Sequence, residues 1–188
     1  FGNRPQNSPI SGLTRYSANY CYRSPKNFAS RANLDLSCGS GDLVEKIQQS
    51  QPEYQVLMAI HGIDDSSQPQ SLTAEIDPKL LRQILTNLLT NAMKYSSVGS
   101  KVYFDLTYDA DCFRFRITDE GIGIAPEDIK KIFTPFHRGN NVGNISGTGL
   151  GLAIVQKCVQ LHQGKIDITS EVGVGTTFTV TIFSKVSS

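Results

Sequence analysis

Asn87 and Asn91 stand four residues apart in Leu85-Thr-Asn-Leu-Leu-Thr-Asn-Ala-Met-Lys-Tyr95, a run whose other residues repeat at helical spacing. Asn weakens a helix interior because its side chain competes for backbone hydrogen bonds, so two amides one turn apart invite a ligand as their explanation. Lys94 and Tyr95 follow three and four residues after Asn91, which puts all four groups along adjoining rows of one helix face. An amide oxygen can ligate a hard divalent cation, and Lys94 can offset phosphate charge. A helix with a solvated polar face is the plain alternative.

Asp119, which opens Asp119-Glu-Gly-Ile-Gly123, continues the inward parity of Phe113, Phe115 and Ile117, so its carboxylate belongs on the core side of a strand end. A buried carboxylate needs a hydrogen-bond donor. The exocyclic amine of adenine is one, and Gly121 and Gly123 let backbone approach a base closely; an Asp in a tight turn is the alternative. Gly147-Thr-Gly-Leu-Gly-Leu152 sets three glycines where a loop enters a helix, a place whose free N–H groups and dipole favour phosphate. A flexible loop has similar composition. The spacing is not the dinucleotide-binding Gly-x-Gly-x-x-Gly, no strand leads directly into it, and the Gly-Lys-Ser/Thr of a P-loop is absent. In order, the three clusters read as a Mg·ATP pocket outside both common nucleotide folds.

The elements that must carry these groups are legible in outline. Asp77-Pro78 starts a helix as N-cap and first-turn proline, and Leu81, Ile84, Leu85, Leu88, Leu89 and Ala92 give it an apolar stripe to about Tyr95. Alternation predicts strands at 54–60 and 71–76, at 102–106 and 113–117 around a turn at 109–111, and at 165–170 and 176–183 around a Gly173/Gly175 turn. Short helices are expected at 42–47 and from Ala125-Pro126 to about Phe133. A second main helix is expected from near Gly149 to before Gly164, read as its left-handed cap. The blocks favour an α/β two-layer sandwich: one mixed, mostly antiparallel sheet with helices on one face. Residues 1–33, with Pro5, Pro9 and Pro25 and no period, read as linker or disordered sequence, leaving 34–188 as the domain.

The chain has 188 residues, 39% hydrophobic, with a formal net charge of +1, which suits one core. No polybasic or basic–aromatic pattern marks a nucleic-acid groove, and apolar runs stop well short of the roughly 20 residues of a membrane span. No secretory signal pattern opens the chain, so a cytoplasmic location without membrane contact is expected, whether or not the parent protein is membrane-associated. Cys21, Cys38, Cys112 and Cys158 are scattered, as reduced thiols would be.

These motifs resemble the ATP-binding catalytic domain of sensor histidine kinases, the Bergerat (GHKL) fold shared with gyrase, the large heat-shock chaperones and mismatch-repair ATPases. Asn87-Leu-Leu-Thr-Asn-Ala-Met-Lys-Tyr-Ser96 matches the N box, Asp119–Gly123 the first glycine box, Ile132-Phe-Thr-Pro-Phe-His-Arg138 the F box, and Gly147–Leu152 the second glycine box. Gly173-Val-Gly-Thr-Thr-Phe178 matches the final glycine turn. The stretch from Phe136 to Gly149 further resembles kinases of the cyanobacterial hybrid and PAS-containing type.

The resemblance implies catalytic roles for Asn87, Asn91, Lys94 and Arg138, with Asn91 as Mg²⁺ ligand. It implies ATP binding by Tyr95, Asp119 against the adenine amine, Gly121, Gly123, Gly147, Thr148, Gly149, Leu150, Gly151 and Thr176, with residues 139–146 as the ATP lid. The acceptor would be a histidine on a dimerisation domain, and a response regulator would follow indirectly. Residues 1–60 contain no His, and His61, His137 and His162 sit in structural or surface contexts. The chain is therefore expected to bind ATP as a monomer and not to phosphorylate itself through the normal site. Three alternatives remain. One is a nucleotide-gated interaction module without catalysis. Another is a GHKL ATPase, which Asn87 disfavours because an amide is no general base. The last is an anti-sigma-type serine kinase, which fits the F box less well.

Overall fold

The computed structural model describes residues 14–18, 31–34, 46, 49, 55–62, 72–108, 111–143, 145–183 and 186–187. The strands are β1 (Thr14–Ala18), β2 (Arg31–Leu34), β3 (Gln55–Gly62), β4 (Leu72–Glu75), β5 (Lys101–Tyr108), β6 (Cys112–Asp119), β7 (Lys165–Glu171), β8 (Gly175–Phe183) and β9 (Val186–Ser187). The helices are α1 (Pro78–Lys94), α2 (Pro126–Ile129) and α3 (Gly151–Leu161). The main sheet runs β1-β7-β8-β6-β5-β3, antiparallel except for the parallel β3–β5 pair. A mixed, mostly antiparallel sheet is thus as expected.

Period-two alternation decides which face is covered. Phe104, Phe115, Ile117, Ile166, Ile168 and Val180 are buried against Ile84, Leu85, Leu88 and Leu89 of α1 and Val155 and Val159 of α3. The strand register lines these residues up across the sheet: Phe115 opposes Val180, which opposes Ile166; Ile117 opposes Phe178, which opposes Ile168. The next row on the same face is Asp119, Thr176 and Ser170, all polar and all buried. The core therefore ends abruptly in a polar edge. The other face is polar, with Arg116 and Asp105 paired at 2.9 Å.

Asp77 caps α1 as expected, its carboxylate accepting from the N–H groups of Lys79 (2.8 Å) and Leu80 (3.3 Å). The far end of α3 holds the same spot. His162 Nδ1 donates to the Cys158 carbonyl at 3.0 Å while Nε2 accepts from the Asp77 N–H at 3.3 Å, an arrangement that requires the neutral ring. Burial holds this imidazole below its ordinary pKa. A depressed pKa in the folded state means that the staple is complete above the ordinary imidazole range and is lost as pH falls. Wild type should therefore exceed His162→Leu by about 1 kcal/mol in urea unfolding above about pH 7, with the gap closing toward about pH 5. A pH-independent gap would contradict the neutral staple.

Several expectations need correction. One stretch within 1–33 and another that crosses its end are strands: β1 extends the main sheet beside β7, and β2 pairs with β4. Backbone pairing at a sheet edge needs no hydrophobic period, so composition hid both. β4 does not join the main sheet; it lies between β2 and β9 in a second, three-stranded sheet. Its four residues lead straight to buried Ile76, which anchors the segment to the core from its end. α2 stops at Ile129 instead of about Phe133, the chain continuing as turns that direct Ile132 and Phe133 inward. α3 starts at Gly151, because Gly149 has φ +72°. Its left-handed cap is Gln163 (φ +54°), not Gly164. The Gly164 N–H reaches the Val159 carbonyl and the Gln163 N–H the Gln160 carbonyl, a Schellman closure. Gly164 is small for another reason, since a Cβ there would lie 2.5 Å from the Thr181 carbonyl oxygen. Of the helix expected at 42–47, Lys46 is helical, as is Gln49; the rest lies outside the described residues, as do 109 and 110 of the expected turn.

Candidate nucleotide-binding site

A cavity of about 460 Å³ lies between α1, the polar end of β6 and β8, the loop around 136–149 and the start of α3. It brings together Asn87, Asn91, Lys94, Tyr95, Asp119, Gly123, Arg138, Gly147, Thr148, Gly149, Gly151 and Thr176. Of the residues predicted from sequence, Gly121 and Leu150 do not line it. Gly121 stands behind Asp119, and Leu150 is the residue before α3.

One end is built on the polar row. Asp119 Oδ1 accepts from the N–H groups of Gly121 (2.9 Å) and Thr176 (3.2 Å), and Oδ2 has no partner among the described residues. Burial raises the carboxyl pKa to about 6, with the two N–H bonds pulling it back down. Ser170 completes the row. Its Oγ donates to the Gly175 carbonyl at 3.0 Å and accepts from the Ile124 N–H at 2.9 Å. With that single proton spent, Thr176 Oγ1, 2.9 Å away, must donate to Ser170, which leaves the lone pairs of Oγ1 as acceptors at the cavity. Ser170 was not singled out from sequence, although its parity with Ile166 and Ile168 carried the signal.

The turn beside this end is held by its neighbours. The Ile122 N–H donates to the Tyr95 carbonyl at 3.0 Å, and the Gly173 N–H donates to the Ile122 carbonyl at 2.9 Å. Gly123 has φ +67°, and a Cβ there would lie 2.0 Å from the Glu171 carbonyl oxygen. Only glycine fits.

The other end is made by α1 and the start of α3. Asn87 Nδ2 donates to the Gln83 carbonyl at 2.8 Å, while the Asn91 amide has no hydrogen-bond partner among the described residues. A Cβ on Gly151 would lie 2.9 Å from Asn87 Oδ1, so glycine is what lets the first turn of α3 approach the two amides. No side chain caps α3, which leaves its first N–H groups for a ligand. Lys94 Nζ sits 5.1 Å from the Tyr95 ring centroid and close under Gly147. The cavity is thus polarised, with a buried carboxylate at one end and Lys94 and a helix N-terminus at the other, and Arg138 on its wall.

Among the described residues no group of three or more His, Cys, Asp or Glu could hold a metal. A cation here would share its shell with ligand oxygens, and the unpaired Asn91 amide suits a hard ion.

The loop brings in residues that the sequence did not single out for the site. His137, expected to be structural or on the surface, lines the cavity, its Nε2 3.2 Å from Asp128 Oδ1. Asn141 also lines it, and its Nδ2 donates to the Gly123 carbonyl at 2.9 Å while its Oδ1 is buried without a partner. Arg138 Nη2 donates to the Ile145 carbonyl. These ties span up to 18 residues and leave no local pattern. The side chain of His61 lies outside the description.

Residues 76–185 match the family described as Histidine kinase-, DNA gyrase B-, and HSP90-like ATPase. Sensor histidine kinase WalK of Bacillus subtilis is 40% identical over 117 residues, 60% of this chain and 19% of that protein. Drug sensory protein A of Synechocystis is 38% identical over 153 residues, 73% of this chain and 23% of that protein. The chain thus spans less than a quarter of either relative. The crystal structure of full-length ShkA in complex with AMPPNP aligns with a TM-score of 0.64 at 26% identity, covering 86% of this chain and 33% of that one. By fold, by cavity and by a family match over more than half its length, this chain belongs to the histidine kinase-, gyrase B- and HSP90-like ATPases.

Proposed function

We propose that this chain is the catalytic domain of a protein histidine kinase, which binds Mg·ATP and donates the γ-phosphoryl group to a histidine on a dimerisation domain. The observation that carries the nucleotide reading is Asp119: a buried carboxylate with Oδ1 saturated and Oδ2 open, at the opposite end of one cavity from the uncapped start of α3. An adenine amine would donate to Oδ2, with the base against Thr176 and Gly123. Phosphates would meet the N–H groups of Gly149 and Gly151, with Lys94 and Arg138 offsetting their charge. Asn91 would hold Mg²⁺, which would neutralise charge on the phosphates.

Transfer would form a bond from an imidazole nitrogen to the γ-phosphorus as the bond to the β-phosphate oxygen breaks, releasing ADP. A neutral imidazole is already nucleophilic, so the domain needs to contribute position and charge more than base catalysis. This agrees with Asn87, whose amide cannot activate water, and sets hydrolysis aside. We place the domain in the cytoplasm, as a monomer on its own, with a response regulator downstream.

The test is transfer from γ-labelled ATP to a separately supplied histidine-bearing dimerisation domain. Acid-labile label on that domain, reduced about 100-fold by Asn91→Ala, is the expected result. Tight ATP binding without transfer to any such domain would favour the nucleotide-gated module instead.

A further inference from the structure

We propose that Asp128, which does not touch the cavity, is the positioning residue for Arg138. The inference rests on the nucleotide reading of the site. Asp128 is 2% exposed on the four-residue helix α2, and burying a carboxylate is unfavourable unless both oxygens are used. Both are used on one downstream segment: Oδ1 lies 3.2 Å from His137 Nε2, and Oδ2 accepts from the Asn140 N–H at 2.8 Å. These two grips flank Arg138 and Gly139. The backbone wraps closely round the carboxylate, since a Cβ on Gly139 would lie 3.4 Å from Oδ2. One residue further, Asn141 Nδ2 fastens the segment to the Gly123 carbonyl at 2.9 Å.

Arg138 therefore leaves a short segment of chain pinned on both sides, to α2 and to the turn beside Asp119. A long guanidinium side chain loses much freedom on engaging phosphate. Fixing its backbone in advance removes part of that loss, and the device that fixes it is the Asp128 carboxylate. A carboxylate serving stability alone would lower the melting temperature when removed, without changing how the site distinguishes a phosphorylated ligand from an unphosphorylated one.

The test is calorimetric titration of ATP and of adenosine into wild type, Asp128→Ala, Asp128→Asn, Arg138→Ala and the Asp128→Ala/Arg138→Ala double variant. Asp128→Ala should weaken ATP about tenfold, the equivalent of roughly 1.4 kcal/mol, and leave adenosine within about twofold. In the Arg138→Ala background it should add no further loss, the signature of a residue acting through another. Asp128→Asn should restore ATP affinity to within about threefold of wild type, because an amide keeps an acceptor for the Asn140 N–H and a polar partner for the His137 ring. If the alanine variant does not fold, Asp128→Ser, too short to hold both partners, takes its place with the same expected loss. Equal weakening of ATP and adenosine, or losses that add to Arg138→Ala, would overturn the proposal while leaving the nucleotide site intact. Absence of ATP binding by folded wild type would remove the nucleotide reading, and this proposal with it.

Discussion

Asp119→Asn should be more stable than wild type at neutral pH and should bind ATP far more weakly. Folding raises the Asp119 carboxyl from 3.8 to about 6, chiefly through burial. The native state thus holds this proton more tightly than the unfolded chain. Stability contributed by the protonated form is complete below about pH 4 and is lost as pH rises through about 6. At pH 7 the ionised carboxylate in its 7% exposed position destabilises the ligand-free domain by at most roughly 3 kcal/mol. Asn keeps an acceptor for the Gly121 and Thr176 N–H groups and carries no charge. A gain of about 1–2 kcal/mol in urea unfolding at pH 7, vanishing below about pH 4, is expected. A variant less stable than wild type at pH 7 would show that the carboxylate is better compensated than the geometry indicates. ATP should lose about 100-fold in affinity, because an amide donor would face the adenine amine, also a donor. In wild type, ATP affinity should fall as pH drops through about 6, where the carboxylate becomes protonated. This is a site that gives up stability for function.

Gly123→Ala should be among the most damaging single-methyl changes near the site. Its φ of +67° disfavours any side chain, and the new Cβ would lie 2.0 Å from the Glu171 carbonyl oxygen. That contact is backbone against backbone, so no rotamer change relieves it. Relief requires separating the 121–123 turn from the β7–β8 hairpin, which costs the Gly173-to-Ile122 hydrogen bond and disturbs the Asn141 tie to Gly123. Strain and overpacking together should lower stability by about 3 kcal/mol, roughly 10 °C in melting temperature. Gly99→Ala is the control. It shares a positive φ (+86°) but has nothing within 4 Å of its Cβ, so it should cost only about 1 kcal/mol. Equal losses in the two variants would mean that dihedral strain alone, not the close approach, makes Gly123 necessary.

Asp119 and Thr176 could be found from sequence because strand parity is a local signal: a polar residue in step with Ile117 or Phe178 must face inward. The same arithmetic applied to Ile166 and Ile168 points to Ser170, but a Ser at a strand end also reads as the start of a turn. Asn87, Asn91 and the glycines from 147 to 151 stood out because each breaks a helical or loop pattern without a local reason. Asp128 and Asn141 broke none. An acidic residue in a first helical turn and an Asn in a Gly/Asn-rich loop each have an ordinary explanation, and only the folded chain shows that Asp128 grips His137 and Asn140 while Asn141 ties the same segment to the turn at Gly123. The second sheet escaped for a similar reason. β2, β4 and β9 are short and widely separated along the chain, and pairing among such pieces is set by where the core delivers them, not by their own alternation.

The measurement that bears most directly on this account is calorimetric titration of ATP, with and without Mg²⁺, into wild type and Asp119→Ala. Mg²⁺-dependent binding that the substitution abolishes, with the variant still folded, is the expected result. Wild type that is folded and fails to bind, or a variant that binds ATP as wild type does, would contradict an adenine seated on Asp119 and the phosphoryl-transfer function built upon it.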